Sequence, residues 1–258
     1  MKRLLLSLRF IGTGYHGWQV QDNACTVQGE VQNALERLLG SRPAVTGCSR
    51  TDSGVHANQF CCHFDTGKNL PPETIVRALN HYLPLDIGAV ACREVSGHFH
   101  ARYSCCSKEY VYKIYHSSVR DPFWEGRAFL TGGPLHENWM NAAAAAFLGA
   151  HDFKAFCAAG AKPGDTVRTV KHIRVEREGA FVNLIVEADG FLYNMVRIMA
   201  GTLLEVGRGK IPPQKVSEIL EGKDRGQAGP TAPAHGLYLN RVVYSFDDEG
   251  TRKADFHG

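Results

Sequence analysis

Twice along this chain a period-two apolar run is followed by a helical pattern and then by a return strand, and that order limits the fold more than any other feature. In the first pass, Leu4, Leu6, Leu8 and Phe10 alternate with Ser7 and Arg9, the pattern of a half-buried strand. Thr26 is placed to cap a helix whose apolar face is Val27, Val31, Leu35 and Leu38, and Gly40 ends it. Gln59 to Phe64 reads as a strand, Pro71-Pro72-Glu73 opens a helix containing Ile75, Val76, Leu79 and Leu83, and Ile87 to Val95 reads as a strand.

The second pass opens with Lys108 to Tyr115, where Tyr110, Tyr112 and Ile114 share one face of a strand. Residues 117–134 read as a long connection, Leu135 to Leu148 as an alanine-rich helix, and His151 to Asp165 as a loop. Arg168 to Glu176 and Ala180 to Glu187 form a hairpin around Arg177-Glu178-Gly179. After Asp189-Gly190 a helix carries the stripe Met195, Ile198, Met199 and Leu203, with Arg197 off it. Pro212-Pro213 starts a short helix with Val216, Ile219 and Leu220, and Leu237 to Phe246 is the last strand.

This pattern predicts an α+β protein with antiparallel sheet covered by helices. It divides into an N-terminal half at 1–105, a C-terminal half at 106–246 and a frayed tail at 247–258. The two halves share an order of elements but no sequence repeat.

Composition narrows the class. The 258 residues are 44% hydrophobic and 21% charged, values of an ordinary globular chain with a core. A formal net charge of +3 neither demands nor excludes an acidic partner, since basic residues can gather on one face. The eight cysteines include no C-x-x-C pair, so neither a zinc knuckle nor a redox motif is expected, and they read as reduced packing residues. Met1 to Leu6 mimics a signal peptide, but its apolar run is short and Arg9 interrupts it. No run approaches the roughly 20 apolar residues of a membrane span. A cytoplasmic protein is the expectation.

Two local patterns invite misreading. Gly12-Thr13-Gly14-Tyr15-His16-Gly17 spells the dinucleotide-binding fingerprint after a strand. That motif must open a helix at once, because the pyrophosphate sits on the helix N-terminus. Here Trp18 to Asn23 follows, which is no helix start, so an oxidoreductase resting on these glycines is disfavoured. Aromatic anchors on a Gly-rich loop suit either packing or contact with a nucleic acid. His98-Phe99-His100 lacks a third ligand at metal-binding spacing, which favours a structural or RNA-facing role.

The most chemically suggestive stretch is Gly47-Cys48-Ser49-Arg50-Thr51-Asp52-Ser53-Gly54-Val55-His56-Ala57. One carboxylate, Asp52, stands among small residues with a cation two positions before it. The flanking glycines permit close approach of a ligand. Thr-Asp-Ser-Gly is also an ordinary turn sequence.

Arg50 to Ala57 resembles the active-site motif of the tRNA pseudouridine synthase A family. Four more blocks resemble it in the same order: Tyr15 to Gln21, Lys108 to Tyr112, Asp189 to Arg197, and His235 to Leu239. The family usually shows Gly-Arg-Thr-Asp-Ala-Gly, where this chain has Ser49 and Ser53. The resemblance implies two similar α+β halves with antiparallel sheets joined across a central basic cleft, and a homodimer. It implies isomerisation of uridine to pseudouridine at tRNA positions 38, 39 and 40, in the anticodon stem-loop. No cofactor, nucleotide or metal is implied.

It also implies roles. Asp52 would be the nucleophile, attacking either C6 of the base or C1′ of the ribose. Arg197 would pair with it. Tyr110 would stack on the base and is a candidate to take the C5 proton. Arg50 would help hold the target nucleotide out of the stack, and Leu237 would line the pocket wall. A catalytically silent RNA-binding protein of the same fold is the competing expectation, and intact Asp52, Tyr110 and Arg197 argue against it.

Overall fold

In a computed structural model, which describes residues 1–158 and 164–246, the N-terminal alternation forms β1 (Lys2–Phe10). The chain divides into two units, Met1–Cys106 with the segment from Leu239 onward, and Ser107–Tyr238.

In the first unit, α1 (Val27–Leu39) starts at Thr26, whose side chain accepts a hydrogen bond from Gly29 N, and ends at Gly40 in the left-handed region. Its buried face is Val27, Val31, Leu35 and Leu39; the expected Leu38 is only half-buried. The short β2 (Thr46–Gly47) precedes β3 (His56–Thr66), which runs longer than the expected strand. Then come α2 (Pro72–Tyr82) and β4 (Ile87–Val95), the latter at its expected bounds. β1 pairs antiparallel with both β3 and β4, so Leu4, Leu6 and Leu8 fall opposite Phe64, Cys62 and Phe60.

The second unit opens with β5 (Cys105–His116), most of which lies within it. Beyond it come β6 (Phe129–Thr131), α3 (Glu137–Ala144), β7 (Gly149–Asp152), β8 (Val167–Glu178), β9 (Phe181–Ala188), α4 (Met195–Gly207) and α5 (Lys215–Gly222). β9 is antiparallel to both β5 and β8. β8 and β9 are the expected hairpin, turning at Gly179, whose φ is +58°. β6 lies parallel to β5 inside the stretch read as a long connection, and β7 lies in the stretch read as helix end and loop. The helix expected over 135–148 is shorter, with a 3-10 turn at Ala145–Phe147. The rest of the expected 151–165 loop is partly, and the expected 247–258 tail wholly, outside the described residues.

The last strand, β10 (Leu237–Tyr244), had been expected within the C-terminal half. From Leu239 onward it belongs to the first unit, where it neighbours β3. Side chains fix it there: Asn58 Nδ2 donates to Asn240 Oδ1 at 2.8 Å, Val242 N to Gln59 Oε1 at 2.8 Å, and Tyr244 Oη to Ala101 O at 2.6 Å. Of the cysteines expected to be buried, Cys25 and Cys106 are exposed; all eight are free thiols. Among the described residues no helix is long and apolar enough to cross a membrane.

A buried histidine in the first unit gives a pH test of the fold. His63 Nδ1 accepts from Ala101 N at 3.1 Å, and its ring meets His100 at 5.1 Å. Burial, then the nearby Arg3 and His100 charges, lower its pKa to about 4, against an opposing pull from Asp65. The folded state therefore holds His63 neutral where the unfolded chain protonates it below about 6.5. Its contribution is present above that pH and lost as pH falls through about 4. Urea unfolding followed from pH 7 to 4 should show a steeper loss for the parent than for His63→Gln. Parallel curves would remove His63 from the acid response.

Candidate active site

In the first unit the Asp52 loop is a turn set into a second loop. Val55 N donates to Asp52 O at 3.2 Å, closing a four-residue turn whose third residue, Gly54, has φ +79°. An L side chain there would be strained. Asp52 is half-buried at the turn's start, and His56 at its far side is fully buried, its Nδ1 accepting from Gly12 N at 3.0 Å.

The supposed nucleotide fingerprint is the other half of this fit. Gly12–Gly14 is a 3-10 turn, no α-helix begins until Val27, and Gly12 and Gly17 are buried against protein rather than lining an open phosphate site. A Cβ at Gly12 would collide with the Val55 carbonyl, and one at Gly17, whose φ is +83°, with that of Thr51. Trp18 N donates to Thr51 O at 3.2 Å, and Gly54 N to Tyr15 O at 3.2 Å. Trp18 is 1% exposed and stacks on Phe60 at 4.1 Å. Thr51 is buried beside Asp52, and its hydroxyl has no hydrogen-bond partner among the described residues.

Arg50 is exposed and lines a cleft of about 250 Å³ together with Ser49, Trp18, His100, Arg102 and Tyr103. His100 stacks on Tyr103 at 4.3 Å, and its Nδ1 accepts from the backbone N–H of Arg102 and of Tyr103, both at 3.2 Å. His100 thus organises a loop that bears Arg102 and Tyr103. Among the described residues no cluster of three metal-ligating side chains occurs.

In the second unit β5 carries Tyr110 opposite Val186 of β9. The Tyr110 ring is 6% exposed and meets Phe191 edge-on, 5.0 Å between centroids at 82°. Two residues on, Tyr112 is fully buried and its hydroxyl donates to Pro233 O at 2.9 Å. Burial pushes the Tyr112 phenol up, and the Arg197 charge opposes that.

Arg197 sits in the first turn of α4, after Asn194, which adopts a left-handed φ of +60°. The expected one-sided stripe is a helix buried nearly all round; of residues 195–204 only Arg197 is not buried. Its guanidinium donates from Nε to Ala232 O and from Nη1 to Asn194 Oδ1, each at 2.8 Å. The segment 228–233 that supplies Ala232 is itself tied down: Gly229 N donates to Thr202 Oγ1 at 2.9 Å, and Arg225 Nη1 to Gly229 O at 3.0 Å. Leu237 is 6% exposed. Burial lowers His235, and Arg197 adds to that shift.

Sequence reasoning placed Asp52 and Arg50 in one loop and Tyr110, Arg197 and Leu237 in the second unit. It did not single out Phe191 against Tyr110, or the 228–233 segment that holds Arg197. Gly229, Pro230 and Pro233 were the available signal for that segment.

The residues that form these sites fall within the stretches 7–104 and 143–245, apart from Tyr110 and Tyr112, and those stretches match the family described as tRNA pseudouridine synthase. The chain belongs to that family. Among its relatives, the tRNA pseudouridine synthase A of Thermoanaerobacter sp. (strain X514) is 43% identical over 244 residues, covering 95% of this chain and 100% of the relative. The protein of that name from Moorella thermoacetica is 45% identical over 246 residues, with 95% and 100% covered. That from Halalkalibacterium halodurans is 43% identical over 242 residues, with 93% and 92% covered. Within the family, this chain groups with the A proteins.

Proposed function

We propose that this chain isomerises uridine to pseudouridine at positions 38, 39 and 40 of the tRNA anticodon stem-loop, with Asp52 as the nucleophile. The observation that carries the reading is the Asp52 loop, set by backbone hydrogen bonds into the Gly12–Trp18 loop beside a cleft of arginines and aromatic rings. The reaction breaks the N1–C1′ bond, turns the uracil and forms a C5–C1′ bond. Substrate and product are isomers: C5 gives up a proton and N1 gains one. No electrons are exchanged with any partner, so the reaction calls for no cofactor.

A carboxylate suits this task because it can hold one fragment covalently while the base turns. The half-buried Asp52 carboxylate needs a cation to keep it ionised as water is excluded. On the resemblance, Arg197 supplies that charge. Tyr110 provides the ring face on which the base stacks. Arg50, with Arg102 and Tyr103 on the same cleft, holds RNA whose target base has left the stack. Leu237 contributes apolar wall. The chain works as a cytoplasmic homodimer in this reading.

The test is pseudouridine mapping on unmodified tRNA incubated with the purified protein. Pseudouridine at 38, 39 and 40 is expected. Its absence would overturn the activity, and its appearance elsewhere in the tRNA would overturn the proposed positions.

Tyr110→Phe separates stacking from proton transfer. The ring keeps its contact with Phe191, so tRNA affinity should stay within about twofold while single-turnover rate falls about a hundredfold, the size of a general acid–base contribution. Full turnover would leave Tyr110 a stacking residue only.

A further inference from the structure

One backbone carbonyl ties the Asp52 loop to its neighbour. Tyr15 O accepts from Gly54 N and from Ser53 Oγ, both at 3.2 Å. The residue that presents this carbonyl is itself fixed. Tyr15 is 5% exposed, and its hydroxyl donates to Asp86 Oδ1 at 2.5 Å, the short O–H···O contact expected with a carboxylate. Asp86 also holds the start of the same loop, since its carbonyl accepts from Ile11 N at 2.9 Å. A chain of contacts thus runs from Asp86 through the Tyr15 side chain and carbonyl to Ser53 and Gly54, the two residues after Asp52.

We infer that Tyr15 is a positioning residue for Asp52, with Asp86 as its anchor and Ser53 as a second latch on the Tyr15 carbonyl. The inference rests on Asp52 being the nucleophile. Burial and the Asp86 charge both raise the Tyr15 phenol, so it remains a donor across the working pH range. The Ser53 hydroxyl adds one more bond to the same carbonyl. A nucleophile acts through its placement, and a shift of about 1 Å can cost a hundredfold in rate.

The substitutions Tyr15→Phe, Asp86→Asn and Ser53→Ala separate placement from binding. Tyr15→Phe keeps the buried ring and removes the anchor; Asp86→Asn weakens the anchor to a neutral hydrogen bond; Ser53→Ala removes one latch. With the full-length protein, three quantities would be read: single-turnover rate on bound tRNA, Kd for tRNA, and amide hydrogen exchange at Gly54. For Tyr15→Phe the expected result is a rate about tenfold lower, an unchanged Kd and faster exchange at Gly54. Asp86→Asn should fall between it and the parent, which keeps the test open if Tyr15→Phe does not fold. Ser53→Ala should give the smallest loss.

Rates equal to the parent, or a rate and a Kd that worsen together, would overturn the positioning role. If the parent itself made no pseudouridine, the proposed function would fall. The exchange measurement would then still decide the anchor: faster exchange at Gly54 in Tyr15→Phe supports it, and unchanged exchange removes it.

Discussion

Asp52→Asn should fold, bind tRNA with parental affinity and make no detectable pseudouridine. The fold should survive because the turn uses the backbone of residue 52: its carbonyl accepts from Val55 N, and Gly54 supplies the positive φ. Asparagine serves such turns as well as aspartate does. The neighbouring contacts, Trp18 N to Thr51 O and Gly54 N to Tyr15 O, are also main-chain and would persist. What is lost is the anionic oxygen. Removing a nucleophile outright costs at least about 10⁴-fold in rate in comparable enzymes. Asp52→Glu tests placement, since it keeps the charge and moves it by one methylene; a loss of about a hundredfold or more is expected. Pseudouridine formation, tRNA binding and melting would be measured on both. An active Asp52→Asn protein would reduce Asp52 to a turn residue and overturn the mechanism.

The sequence revealed elements whose side chains repeat and concealed those that depend on distant pairing. β4 was legible to its ends because its apolar run is bounded by Asp86 and by Ser96-Gly97. β6 has three residues and is a strand because Ile114 to His116 lie beside it, a relation no local period encodes. α4 looked one-sided because its stripe of Met195, Ile198, Met199 and Leu203 is the most apolar. Ala200 and Gly201 on its other side are small enough to be covered as well, Gly201 by the backbone of Pro230. Of the candidate site, Asp52 and Arg50 were legible as charges in a loop of small residues. The carbonyls of Thr51 and Tyr15 that fix the loop have no sequence signature, because every residue carries one. Gly12 and Gly17 could be excluded as a nucleotide motif by the missing helix, but the loop they fit against emerged only from the fold.

Arg197→Met should leave a folded protein that binds tRNA and is slowed about a hundredfold or more in the chemical step, the loss typical when one preorganised charge partner is removed. The geometry says what methionine would and would not replace. The side chain leaves α4 at the one half-buried position of its first ten residues, and methionine keeps that apolar stem. It cannot donate to Ala232 O or Asn194 Oδ1. Those are partly buried acceptors, so some stability should be lost, on the order of 1–3 kcal/mol. Arg197→Lys separates the two consequences. Lysine restores a positive charge but not the two-armed contact, so melting should recover less than rate if charge on Asp52 is what matters. The readouts are single-turnover rate across pH and melting temperature. If Arg197 keeps the nucleophile ionised, the Met variant should regain activity as pH rises, because the Asp52 carboxyl would then ionise without help. A Met variant with parental rate at neutral pH would confine Arg197 to holding the 228–233 segment against its helix.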